Sequence, residues 1–134
     1  MSDKILESLG KNLNRDMVTD LFHNGFYYKN FPFLLKHMQD NVKPSSWRSA
    51  WVVNHLMKKD DKRIKKHLTK IIKSINGKTD GHQRELIRIV RKMNLSEKNE
   101  GLFFDICMQV WEDVHKKPAT RHYAGLFIIE MAKK

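Results

Sequence analysis

The chain is poor in the residues that would staple, break or bury it. A single cysteine among 134 residues cannot form an internal disulfide, so a reducing, cytoplasmic location is expected. Three prolines and six glycines leave no room for a series of Gly-rich hairpin turns, and no stretch keeps a two-residue apolar alternation, so sheet folds are excluded. The longest apolar stretch, residues 124–129, is far short of the roughly 20 residues of a membrane span, and no membrane partner is expected. Asp3 and Lys4, with no apolar run behind them, do not read as a secretory signal. Acidic residues are scarce too: 15 against 26 basic ones give a net charge of +11.

Chemistry-bearing motifs are equally thin. The seven histidines form no His-x-x-x-His, His-x-x-His or Cys/His group, so no metal site is expected. No Gly-rich phosphate loop, Gly-x-Ser-x-Gly elbow or isolated buried carboxylate pair is visible, and Cys107 falls on an apolar stripe, where a thiol packs rather than reacts. No catalytic residue and no cofactor is assigned; the chain reads as a non-enzyme.

What is present is a globular composition, 40% hydrophobic and 10% aromatic, enough for one domain with a modest core. It carries an internal repeat. Arg48, Arg84 and Arg121 are spaced by 36 and 37 residues. Two and three positions after each come Ala50/Trp51, Leu86/Ile87 and Tyr123/Ala124, and five positions after come Val53, Ile89 and Leu126. Eight positions before each arginine stand Asp40, Asn76 and Asp113, and the pairs Pro44-Ser45, Asp80-Gly81 and Lys117-Pro118 punctuate the chain ahead of each copy. A fainter fourth copy starts at Arg15, with Met17 and Val18.

Helices of a second kind lie between these segments. Residues 62–75 set Ile64, Leu68, Ile71, Ile72 and Ile75 on one stripe at 3.6-residue spacing. Residues 101–115 do so with Phe103, Cys107, Val110 and Val114, widened by Leu102, Ile106 and Trp111, and residues 31–40 with Phe31, Leu34, Leu35 and Met38. The expected fold is all-α: a single domain of about three helix pairs over residues 30–59, 62–94 and 99–134, preceded by a partial repeat in residues 1–28.

A helix pair recurring every 36 to 37 residues with an arginine in its second helix resembles the HEAT-type α-α superhelix. Trp-Arg-Ser-Ala-Trp-Val at 47–52 and the helix from His82 to Arg88 are similar to a group of small bacterial HEAT-like proteins. Some of these bear the label adenylosuccinate lyase, which would imply a Ser-rich mobile loop and a long-helix bundle; this chain has no such loop and is too short for the bundle. The resemblance implies that neighbouring pairs stack into one core, that the second helices line a concave surface, and that the Asp/Arg columns form a ladder between repeats. Asp40/Arg48 and Asp113/Arg121 match that ladder, and Asp80 substitutes where Asn76 departs.

Two basic surfaces follow. On the second helices, Trp51 and His55 lie within a quarter turn of Arg48, while Arg84, Arg88 and Arg91 share one face and Arg121 continues the row. These seven residues are the candidate partner-binding set, since arginine grips carboxylate or phosphate with a planar fork. Arg48, Arg84 and Arg121 also fall in the ladder column; Arg88 and Arg91 do not. Trp47 is expected in the core. On a first helix, Lys58, Lys59, Lys62, Arg63, Lys65, Lys66, Lys70 and Lys73 stand against Asp60 and Asp61. That run is either a solvated face or a phosphate-binding patch.

The final helix, with Leu126, Phe127, Ile128 and Ile129 in succession, is apolar around more than one face. Either the chain is a shortened form, or Phe127 and Ile128 meet a second copy or a partner. The leading functional expectation is a scaffold for an acidic protein partner. The alternatives are nucleic-acid binding through the same arginine face and, third, DNA glycosylase-like activity of the kind found in HEAT-like alkylpurine glycosylases, whose aromatic and aspartate constellation has no residue-by-residue match here.

Overall fold

A computed structural model describes residues 2–10, 19 and 25–134; Arg15, Met17 and Val18 of the fourth repeat copy lie outside them. The described residues are helical and contain no strand. They fall in two compact units, Met1–Leu56 and Met57–Lys134.

In the first unit, α1 (Ser2–Gly10), α2 (Phe26–Lys29), α3 (Phe31–His37) and α4 (Ser45–Leu56) enclose Ile5, Leu9, Tyr27, Phe31, Leu34, Met38, Ala50, Val52 and Val53. Gly25 enters α2 at a left-handed φ of 75°, a conformation only glycine takes without cost. The Asn30 side chain then donates to the Phe26 carbonyl at 2.8 Å, closing the step into α3, where Pro32 occupies the first turn and its missing N–H is harmless. Helices α3 and α4 pack as a hairpin, and α1 packs on α4. The hairpin turn is held by reciprocal bonds between Val42 and Ser46 and by a 2.6 Å bond between His37 Nε2 and Ser45 Oγ. Burial pushes His37 below its ordinary value, opposed by the nearby Asp40 carboxylate.

The second unit holds α5 (Lys62–Lys65), α6 (Leu68–Ser74), α7 (Asp80–Arg91), α8 (Glu97–Glu112) and α9 (Pro118–Ala132). Helices α6/α7 and α8/α9 are hairpins; α6 also packs on α8, and α7 on α9. Equivalent positions one repeat apart are therefore neighbours. Thr69, early in α6, donates to Asn99, early in α8, at 3.0 Å. Thr120 Oγ1 donates to the Asp80 carbonyl at 3.1 Å, and the Lys117 N–H to Asp80 Oδ1 at 3.0 Å. Asp80 does bridge successive hairpins, though through a backbone N–H. The Ser96 hydroxyl caps α8 by accepting from the Asn99 N–H, and Glu97 and Glu100 sit favourably in its first turn.

Ile64, Leu68, Ile71, Ile72 and Ile75 are all buried, but residues 62–75 are two helices and not one, because a turn at Lys66–His67 interrupts them. Phe103, Cys107 and Val110 are buried. Val114 is not: α8 ends at Glu112, Asp113 turns extended (ψ 102°), and Val114 is 75% exposed. Trp111, placed on the same stripe, is 44% exposed. Phe127 is likewise corrected. It is a core residue, its ring 4.4 Å from that of Phe103, so it offers no surface for self-association. Ile129 is the exposed member of that run, and Ile128 lines a shallow groove of about 470 Å³ with Phe104 and Met131.

Candidate functional site

The second helix of each hairpin carries its repeat arginine in the first turns, and the three arginines meet different fates. Arg48 Nη1 donates to the Leu9 carbonyl at 2.7 Å, near the end of α1. Arg121 Nε donates to the Trp111 carbonyl at 2.9 Å, near the end of α8, and its guanidinium lies 5.1 Å from the Trp111 ring centre. The last four carbonyls of a helix lack intrahelical partners and carry the negative end of the dipole, so an arginine is a natural terminal cap. At the end of α6 that task falls to Gln83, whose side chain donates to the Ile75 carbonyl at 3.0 Å. Arg84, half-buried on the surface of α7, makes no hydrogen bond or ion pair among the described residues.

The aspartates of the repeat column act locally. Asp40 pairs with His37 at 3.7 Å, and Asp113 accepts from the His115 N–H at 2.9 Å.

Beyond Arg84 on the same face of α7 stand Arg88 and Arg91. Arg88 lies 5.0 Å from the centre of the Tyr123 ring on α9 and holds Glu85 Oε1 at 3.3 Å. Glu85 is almost fully buried. Arg91 pairs with Glu130, again across to α9. Lys92 closes the row. Burial first, and then Arg88, push its pKa down, while Glu85 opposes. Arg84, Arg88, Arg91 and Lys92 face only Glu85 and Glu130 in these contacts, so the face keeps a surplus of positive charge.

Arg121 stands apart from that row. It is two residues from Tyr123, about 200° around the helix, and turns to α8 while Tyr123 turns to α7. In the first unit, α4 brings Trp51 and His55 together: the rings are 4.2 Å apart and His55 Nδ1 lies 2.7 Å from the Trp51 carbonyl. Trp47 is half-buried, and its buried indole nitrogen has no hydrogen-bond partner among the described residues.

Two residues of the surface escaped the sequence reading. Tyr123 occupies a column that is apolar in the other copies, and only its hydroxyl-bearing ring marked it as different. Trp111 shares the spacing of a core stripe, and nothing in that spacing reveals that Arg121 covers its ring. Cys107 is buried, and burial pushes its thiol up to about 12, so it packs as an apolar group. Among the described residues no group of three or more His, Cys, Asp or Glu could hold a metal, and no helix is long and apolar enough to cross a membrane.

Stacked helix hairpins, with equivalent positions in contact one repeat apart, define a helical-repeat protein. A family model for the HEAT repeat domain matches residues 5–133, and the chain belongs to that family. No curated protein and no solved structure matches the chain.

Proposed function

We propose that the protein is a non-catalytic HEAT-repeat scaffold that binds an acidic segment of a partner protein across α7 and α9. HEAT repeats generally serve as interaction scaffolds, which is the starting support for this reading. The observation that carries it is Arg84: Gln83 caps α6 in its place, and among the described residues its guanidinium has no hydrogen bond or ion pair, which leaves it for an incoming carboxylate. Arg88 extends the grip. Its face is covered by Tyr123, and a stacked guanidinium still presents in-plane N–H groups to an acid. Glu130 interrupts the positive face and Glu85 lies buried beneath Arg88, which suits a partner of mixed sequence better than the uniform charge of a nucleic acid on this surface. Trp51 and His55, with Arg48 beside them, are a second contact point on the first unit, and Arg121 over Trp111 a third on the second.

Selection from a displayed peptide library tests the reading. Acidic sequences are expected to be enriched, and Arg84→Ala to weaken the best of them about tenfold, the loss of one charged hydrogen-bonding group. Arg88→Lys keeps a cation beside Glu85 but loses the planar fork, and should weaken binding less. Enrichment of apolar or basic peptides, or affinity unchanged in Arg84→Ala, would remove this reading.

A further inference from the structure

Helices α5 and α6 carry a second basic surface, independent of the arginine face. Lys62, Lys66, Lys70 and Lys73 are all exposed and make no ion pair among the described residues. The two nearby carboxylates are committed elsewhere. Asp61 caps α5 and holds Arg63 through Nε and Nη2 at 3.0 and 2.7 Å. Asp60 accepts from the Asn94 N–H and side chain, both at 3.1 Å, and from Lys65. Residues 62–73 themselves contain no acid. The result is a strip of four exposed lysines, three or four residues apart, with Lys62 on α5, Lys66 in the turn that follows it, and Lys70 and Lys73 on α6.

We propose that this strip docks the phosphate backbone of a nucleic-acid duplex without reading its sequence. Three properties select that ligand. No Phe, Tyr or Trp stands between the lysines, and the exposed imidazole of His67 is the one flat ring among them, so unpaired bases have no platform of successive rings to stack on and a single strand gains little. No large apolar side chain between residues 57 and 110 is exposed, so a protein partner finds no buried anchor and a membrane surface receives no inserting group. What remains is a row of compact point charges, and a duplex presents the dense, regular anions such a row fits: one charge per about 1.7 Å of axis.

The test is fluorescence anisotropy of a labelled duplex DNA of two helical turns with the full chain, titrated at several salt concentrations. Four phosphate contacts predict a slope of log K against log salt of about −3.6, a loss on the order of 100-fold between about 50 and 200 mM. The fourfold variant K62Q/K66Q/K70Q/K73Q should bring the slope close to zero, and K62Q/K66Q or K70Q/K73Q alone should remove about half of it. Arg84→Ala should leave it unchanged, which separates this surface from the acidic-peptide face. A fourfold variant with the parental slope would overturn the proposal. So would equal affinity for a single-stranded oligonucleotide, for poly-glutamate, or for vesicles containing anionic lipid.

Discussion

Trp111 is packed so closely against Gly125 that a β-carbon on the glycine would stand 2.9 Å from the ring carbon Cζ3 and 3.0 Å from Cε3. The contact joins α8 to α9 at the point where Arg121 covers the same ring. Gly125 is a buried helical residue, so Gly125→Ala gains up to about 1 kcal/mol of helix propensity. It must also move the indole, at an overpacking cost of about 1–3 kcal/mol. The cost wins: a net destabilisation of about 1 kcal/mol is expected, read as a lower urea midpoint together with a shift in tryptophan emission. A variant as stable as the parent, with unchanged emission, would show that the ring yields freely.

Acid should weaken the second unit at the entrance to α5. Hydrogen bonds from Arg63 hold the Asp61 carboxyl well below its ordinary value of 3.8, helped by the Lys58 and Arg63 N–H groups and opposed by burial. A carboxylate depressed by folding stabilises the native state fully above its unfolded value, and that contribution is lost as pH falls through the folded value. Stability should therefore fall progressively below about pH 4. Asp61→Asn removes the titrating charge, so its urea midpoint should change less between pH 7 and pH 3 than the parent's. At neutral pH, Asp61→Ala should cost about 0.5–2 kcal/mol through loss of the cap. Parallel pH curves for parent and Asp61→Asn would count against this assignment.

The hairpin repeat was legible because burial leaves a periodic trace. Each of the five apolar residues in 62–75 is buried, and the three repeat arginines all fall near the start of a second helix. The interruption at Lys66–His67 was not legible, since neither residue is a glycine or proline and the stripe stays buried on both sides of it. Four apolar residues in a row, 126–129, cover every face of a helix and so cannot say which one is inside; Phe103 decides it by packing its ring, tilted by 51°, against that of Phe127. The arginine partners were hidden for a different reason. Leu9 and Trp111 accept through backbone carbonyls, and a carbonyl is present at every position, so it leaves no mark in the sequence. An aspartate ladder was the readable alternative, but Asp40 and Asp113 serve their own turns.

That carbonyl bond makes Arg48 the anchor of α1. The helix has nine residues, too few to persist alone in water, and it depends on packing Ile5 and Leu9 against its own unit and on the Arg48 bond near its C-terminal end. Hydrogen bonds to charged groups contribute about 1.5–3 kcal/mol when shielded. Arg48 is half-exposed, and water can take part of its place, so Arg48→Ala should cost about 1 kcal/mol. The loss should be local: amide exchange across residues 2–10 is expected to speed up about fivefold, the equivalent of that free energy at room temperature, while α8 and α9 keep their protection. Arg121→Ala is the matched control, freeing the Trp111 carbonyl and loosening the end of α8 without touching α1. If α1 exchanges at the parental rate in Arg48→Ala, the apolar contact of Ile5 and Leu9 holds the helix, and the Arg48 bond to the Leu9 carbonyl adds nothing measurable to it.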